Sequence, residues 1–244
     1  MIKSHSIQYC NKEDLLGAPS DFYKHSSSKT LIQVFTGCVD RFYIENLLSE
    51  LKEVFPDVAI VGTTTSGEIV HNKVLENTTV VNITIFEKTT VCSTLVHYSD
   101  ELWTAGEKIS NNLKNSHPKG IILFGTSLAN GRTLDATNLL DSIQESLPGV
   151  IISGGQAGDN GKGIISYVFS DFGITGYGAV AASLSGEDLS IHNTYNLSWI
   201  PIGKKLTITK AKGPRVYSID NRTPLDLYNH YLGPEVVEGF PLTS

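Results

Sequence analysis

The chain is short of cysteine, arginine and long apolar runs, and each shortage removes a class of protein. Cys10, Cys38 and Cys92 are scattered, with no C-x-x-C pair among them. That excludes a disulfide scaffold or a cysteine-rich zinc site and points to a reducing compartment. The N-terminus MIKSHSIQYC lacks the apolar centre of a signal peptide, and no apolar run reaches the length of a bilayer span. The expectation is therefore a cytoplasmic chain with no membrane span. Only four residues are arginine, acidic residues outnumber basic ones by 25 to 19, and no basic stripe is present. Nucleic acid is not an expected partner, because phosphate binding needs clustered cations.

Catalytic and metal signatures are missing as well. The segment GDNGKG, Gly158 to Gly163, has the look of a phosphate loop. Gln156 stands where G-x-x-x-x-G-K-[ST] needs its first glycine, and Gly163 replaces the final hydroxyl residue. There is no G-x-S-x-G elbow and no H-E-x-x-H. The histidines, His5, His25, His71, His97, His117, His192 and His230, include no pair at helical spacing, so no zinc site is expected. No catalytic residue is assigned, and the chain is expected not to be an enzyme. A lone histidine can still ligate haem iron. His71, His97 and His192 are the candidates, each with an ordinary structural role as the plainer reading.

What the sequence does hold is a repeat. With 244 residues and 40% hydrophobic composition the chain can bury a sizeable core. Sliding it by 92 positions lays Asn46, Leu47, Leu48, Glu53, Pro56, Val58 and Gly62 on Asn138, Leu139, Leu140, Glu145, Pro148, Val150 and Gly154. Over so short a stretch average composition would match about one. Apolar character also agrees at Leu51 and Ile143, Phe55 and Leu147, and Ile60 and Ile152.

The chain reads as an internally duplicated α/β fold, each copy, residues 31–98 and 120–196, being one β-α-β-β-β unit. A continuous apolar strand, LIQVFTG or GIILFGTS, opens it. An amphipathic helix follows, with Ile44, Leu47, Leu48, Leu51 and Phe55 at helical spacing in one copy and Ala136, Leu139, Leu140, Ile143 and Leu147 in the other. Pro56 and Pro148 stop the helices, and DVAIVG or GVIISG forms the next strand. TVVNITIF and TVCSTLVH complete the first copy. GAVAASLSG and LSIHNTYN complete the second, preceded by a candidate strand GIISYVFS. Leu102, Ala105, Ile109 and Leu113 predict a linking helix. Beyond residue 197 the repeat ends. A hairpin is expected in IGKKLTITKAKGPRVYSID and a helix in TPLDLYNHYLG, capped by Thr223, with Pro224 in its first turn and Gly233 past its end. Trp199 is read as packing at this junction.

In α/β units the loops leaving strand C-termini collect ligand groups. The duplication brings out two matched pairs. Cys38, Asp40 and Arg41 answer to Thr126, Ser127, Asn130 and Arg132. The run Thr63 to Glu68 answers to Gly155 to Asp159, so that Glu68 matches Asp159. Arginine suits a carboxylate, glycine-rich loops offer backbone N–H groups to an anion, and Glu or Asp can hold an ammonium. The candidate ligand-binding residues are Arg41, Thr64, Ser66, Glu68, Arg132, Gln156 and Asp159, facing a zwitterion such as an amino acid. The plainer alternative is that the glycines and threonines make tight turns and the acids cap them.

The segments VFTGCVDRFYIENLLSELKEVFPDVAIVGTTTSGEI, LPGVIISGGQAGDNG, GAVAASLSGEDL and SWIPIGKKLTITKAKGPRVYSIDNRTPLDLYNHYLG occur in an order that resembles the FIST sensory domain of bacterial signalling proteins. The run TTTSGE departs from many relatives, which carry a cysteine or other small residues in place of the threonines, so no cysteine chemistry is expected there. The resemblance implies a sensory N-terminal module over residues 1–197 and the start of a C-terminal module over 198–244, continuing past Ser244. It implies small-molecule sensing, with amino acids proposed as ligands, and output through a diguanylate cyclase, phosphodiesterase, histidine kinase or chemotaxis receptor. Two alternatives stay open beside it: a haem-based nitric oxide sensor, and a protein-interaction scaffold with no small ligand. A hydrolase using Thr or Ser of the first loop ranks below these, since no base is placed for it.

Overall fold

The central strands are apolar at odd and even positions alike because both of their faces are covered. In a computed structural model, which describes residues 1–99, 101–129, 132–194, 200–201, 203–213 and 215–238 but not the side chains of Ala129 and Arg132, the chain forms two compact units, 1–193 and 194–244. Unit one runs β1 (Ile2–Gln8), α1 (Lys12–Leu16), β2 (Thr30–Thr36), α2 (Arg41–Val54), β3 (Ala59–Thr64), β4 (Glu68–Val70), β5 (Lys73–Leu75), β6 (Thr79–Phe86) and β7 (Thr90–His97). It continues with α3 (Leu102–Leu113), β8 (Gly120–Gly125), β9 (Leu128–Ala129), β10 (Arg132–Thr133), α4 (Thr137–Ser146), β11 (Ile151–Gln156), β12 (Val168–Ser170), β13 (Gly173–Thr175) and β14 (Gly178–Ser185).

These strands build two mixed sheets, ordered β1-β6-β2-β3-β12-β13 and β11-β8-β14-β7. Taken as β1-β6-β2-β3 and β7-β14-β8-β11, the two share one order, with β2 parallel to β3, β8 parallel to β11, and the other neighbours antiparallel. Ile44, Leu47 and Leu51 of α2 bury one face of the first sheet on Ile32, Val34, Ile60 and Ile83. Ala105 and Ile109 of α3, with Leu139 and Ile143 of α4, do the same on Ile121, Leu123, Ala179 and Ala181 of the second. The alternate residues, Leu31 and Val61 from one sheet and Phe124, Val180 and Ala182 from the other, meet in a third cluster between the sheets. Phe35 there sets its ring edge-on to Phe124 at 5.6 Å. The result is a four-layer α/β/β/α stack. Its strands read as unbroken apolar runs for the reason that doubly covered parallel strands do.

Several elements differ from the sequence expectation. TVCSTLVH does not close the first copy: it is β7, paired along its length with β14 of the second sheet. Both edges of β6 are already taken, by β1 and β2, so β7 has no place beside it. LSIHNTYN forms no strand over its described residues, Leu189 to Thr194. Again both edges of its predecessor are occupied, β14 lying between β8 and β7. GIISYVFS supplies only the three-residue β12, which crosses to pair with β3 of the first sheet. The N-terminal strand β1 went unread because it is an edge strand with polar alternation (Ser4, His5, Ser6) and little burial.

Unit two pairs β15 (Ile208–Lys212) with β16 (Arg215–Ile219), followed by α5 (Pro224–Leu232) and α6 (Pro234–Glu238). The Thr223 hydroxyl accepts from the Asp226 N–H at 3.1 Å, and the Asp226 carboxylate accepts from the Thr223 N–H at 3.2 Å. Pro224 opens the helix, and Gly233 beyond it takes φ 88°. Trp199 lies outside the described residues. Among the described residues no helix is long and apolar enough to cross a membrane.

The crossover is held by one close approach. Phe169 of β12 stands opposite Gly62 of β3, and a Cβ on Gly62 would fall 2.1 Å from its ring. Phe169 is fully buried under α2. Phe169→Ala is expected to cost about 3–5 kcal/mol, and Gly62→Ala to destabilise by forcing the ring out of place. Urea denaturation of both variants checks this; a loss below about 1 kcal/mol for Phe169→Ala would contradict the packing.

Candidate functional site

The two glycine loops meet, and Thr64 joins them. Its hydroxyl donates to the Gly158 carbonyl at 2.6 Å and accepts from the Tyr167 N–H at 2.9 Å. Its own carbonyl accepts from the Gly158 N–H at 2.8 Å. Asn160 continues the junction, donating to the Gly37 carbonyl at 2.5 Å and to Asn77 Oδ1 at 2.9 Å. Ser66 packs against Gly158, where a Cβ would come within 2.7 Å of its hydroxyl. Thr64 is fully buried with its hydroxyl spent on the backbone, which suits a fastener rather than a nucleophile.

The two matched acids each serve the turn that carries them. Glu68 is buried and accepts from Thr65 and from the Thr78 N–H and hydroxyl, at 3.0 and 2.7 Å for the latter pair. It thereby closes the β4–β5 hairpin onto the start of β6. Asp159 is also buried, and accepts from the N–H groups of Gly163, Ile164 and Ile165 at 3.1, 2.7 and 3.3 Å. The chain can wrap the carboxylate because Asn160, Gly161 and Gly163 take φ of 56°, 73° and 68°. Burial pushes the Asp159 carboxyl up, but the amides of Ile164, Gly163, Ile165 and Lys162 outweigh it and hold the group below its ordinary value.

The remaining candidates lie elsewhere. Arg41 opens α2 and pairs with Glu45 at 2.8 Å on an exposed helix face. Arg132 falls on β10, and its side chain is outside the described residues; so is Asn130. Cys38 is half-buried, and burial pushes its thiol up, away from thiolate chemistry at neutral pH. His71 sits in the β4–β5 turn at φ 49°, His97 lies 3.0 Å from the Thr175 hydroxyl, and His192 lies 3.1 Å from Ser190.

Gln156 leads to a feature that the sequence did not suggest, a cavity between β11 and α4. It has a volume of about 360 Å³ and is lined by Leu123, Leu139, Leu140 and Ile152, by Gly154 and Gly155, and by Gln144 and Gln156. No residue lining it carries a charge. Its size falls in the small-ligand range, and it lies at the C-terminal ends of the parallel strands β8 and β11, where α/β folds place ligands. The Gln156 side chain donates to the Leu134 carbonyl at 3.0 Å, tying the strand end to the approach to α4. The Ile151 N–H donates to Lys119 and the Ala157 N–H to Gly125, so odd-numbered residues of β11 face β8. The N–H and C=O groups of Gly154 and Gln156 then point off the sheet edge. The glycine pair was the signal available in the sequence; the sheet order adds that no strand among the described residues pairs with this edge, where Asn193 donates to the Ile152 carbonyl at 3.4 Å.

A family model described as the FIST N domain matches residues 30–222. The match begins at the first residue of β2 and runs through the β15–β16 hairpin, so residues 198–222, read above as the start of a C-terminal module, fall inside it. A comparison with curated proteins finds no match.

Asp159→Asn keeps the size of the side chain and removes its charge from three amide donors. It is expected to lower stability by about 2 kcal/mol at pH 7. The folded carboxyl is held below its unfolded value, so its stabilisation is complete at neutral pH and fades as pH falls below about 4 toward the folded value. Urea midpoints of wild type and variant should therefore converge between pH 7 and pH 3. A gap that widens in acid would mean that the amides do not hold a carboxylate.

Proposed function

Since the chain belongs to the FIST N domain family of signal-transduction sensory domains, we propose that it is a ligand-sensing input domain whose small-molecule site is the cavity under α4. The observation that carries this reading is a cavity of about 360 Å³, lined by apolar side chains and two amides, at the ends of two parallel strands. A metabolite of amino-acid size would place its apolar part against Leu139, Leu140 and Ile152. Its polar head would stay on the solvent side, near Gln144, Gln156 and the outward backbone groups of Gly154 and Gln156. A charged head is tolerable there because it keeps its water, whereas the uncharged interior offers it no partner. The loop junction around Thr64, Glu68 and Asp159 then acts as the frame that fixes the β11 end of the cavity.

Binding transmits a signal only if the ligand favours one arrangement of the protein over another. The packing of α4 gives it a route. Its Ser142 hydroxyl donates to the Trp103 carbonyl of α3 at 2.8 Å, and α3 approaches so closely at Gly106 that a Cβ there would lie 2.6 Å from Ser142. A ligand that lifts or seats α4 must move α3 with it, and a partner reading α3 would sense occupancy. Output to a diguanylate cyclase, phosphodiesterase, histidine kinase or chemotaxis receptor, in the cytoplasm of a bacterium, belongs to this proposal. The buried, backbone-bonded hydroxyl of Thr64 and the raised Cys38 thiol favour this role over catalysis.

Trp103 offers a direct readout, since Trp103 and Trp199 are the chain's two tryptophans. In a Trp199→Phe background, titration with amino acids and related metabolites is expected to change Trp103 emission saturably and to raise the melting temperature in step. A panel that moves neither signal in a well-folded sample would sink the small-ligand reading.

A further inference from the structure

The geometry points to a flat aromatic ring as the group that fills the cavity under α4, and so to an aromatic amino acid or a close analogue as the ligand class. The inference rests on the ligand reading above and narrows it. Its basis is a mould inside the same chain. The two sheets share one strand order, and the 92-position shift that relates their sequences carries Gly62 of β3 onto Gly154 of β11, and Leu47 and Leu48 of α2 onto Leu139 and Leu140 of α4.

In the first sheet that position is filled. The ring of Phe169 lies against Gly62, opposite it in register, beneath α2. It seals the helix down, and Leu48 is only 5% exposed. In the second sheet nothing among the described residues plays the part of β12. Leu140, the counterpart of Leu48, is 41% exposed, and the space beside Gly154 is the cavity. A strand glycine against the ring and helix leucines in the same core cluster thus have counterparts lining the second position. Phe169 fits because Gly62 has no side chain to hold it off. Gly154 is bare for a different reason: its φ is 151°, and a Cβ would fall 1.8 Å from the Leu123 carbonyl of β8, whereas a Cβ on its neighbour Gly155 would meet nothing within 4 Å.

A slot between a bare strand and a leucine-faced helix admits something thin. A planar ring satisfies it and gains contact on both faces, whereas a saturated ring of the same carbon count is thicker. Phe169 also brings its own backbone, which pairs with the edge of β3. A free amino acid offers a lesser version of the same chemistry: its carboxylate can accept from, and its ammonium donate to, the outward N–H and C=O groups of Gly154 and Gln156.

The test is calorimetric titration of the full chain with L-phenylalanine, L-cyclohexylalanine and L-leucine, repeated with Leu140→Trp, whose indole would occupy the slot from the helix side. Leu140 is already partly in solvent, so the variant should fold, which its melting curve verifies. L-Phenylalanine is expected to bind one per chain, at least about tenfold tighter than cyclohexylalanine, and to lose about tenfold or more in folded Leu140→Trp. Equal binding of the saturated ring, or tighter binding of leucine, would overturn the ring inference while leaving the ligand reading intact. Phenylalanine binding unchanged in the folded variant would place the ring elsewhere and overturn the inference too. No binding by any of the three would remove both readings of this cavity.

Discussion

Two sheets packed face to face, each with helices on its back, leave the central strands no polar side. Leu31 and Val61 turn inward to the second sheet while Ile32 and Ile60 turn outward to α2. Val180 and Ala182 face the first sheet while Ala179 and Ala181 face α3 and α4. Polar groups are therefore pushed to the strand ends and sheet edges, and the chemistry of the molecule collects there. The same constraint decides where later strands go. Once β6 and β14 each have two neighbours, the next segment must leave the sheet, and β7 and residues 189–193 do so.

The edges are treated unequally, and that asymmetry creates the cavity. β3 is extended by β12 and β13, so its glycine is covered and its helix is sealed. The described residues give β11 no such partner. In each half a short hairpin, β4–β5 after β3 or β12–β13 after β11, carries paired apolar residues: Ile69 opposite Val74, and Phe169 opposite Ile174. Phe169 is buried and Ile174 packs on the same core, whereas Ile69 and Val74 are 74% and 75% exposed. Glu68 accounts for the difference. Its bonds to Thr65 and Thr78 tie the first hairpin to its own loop and to the start of β6.

Much of this was legible. The doubly covered strands announce themselves as apolar runs, the spacing of Ile44, Leu47 and Leu51 fixes a helix and its buried face, and Thr223, Pro224 and Gly233 bound α5 where capping chemistry says they should. The 92-position match picked out strand, helix and strand at equivalent places in both sheets. Strand pairing was not legible, because an apolar segment such as TVCSTLVH carries no mark of which edge is free. The short hairpins escaped for want of length, and β1 for want of burial. At the candidate site, Glu68 opens β4 after the turn that leaves β3, and Asp159 lies in the loop after β11. Spacing cannot reveal, however, that Asp159 is wrapped by its own three amides. A carboxylate awaiting a ligand and one closing a turn look the same in sequence.

That ambiguity bears on how a sensory domain can be built from repeated parts. Two equivalent positions under two helices cannot both remain open without loss of stability, since an unfilled apolar slot forfeits contacts on all its walls. Filling one with Phe169 gives the first sheet a fixed core and ties the second half to it through β12. The other, beside Gly154, then holds apolar surface whose burial is not completed by the described chain, and a molecule supplying that burial stabilises the bound arrangement in proportion to the contacts it adds. Because Ser142 and Gly106 lock α4 to α3, the stabilisation is not confined to the cavity. It is felt along a helix pair, which is the least machinery that a change of occupancy needs in order to be read from outside.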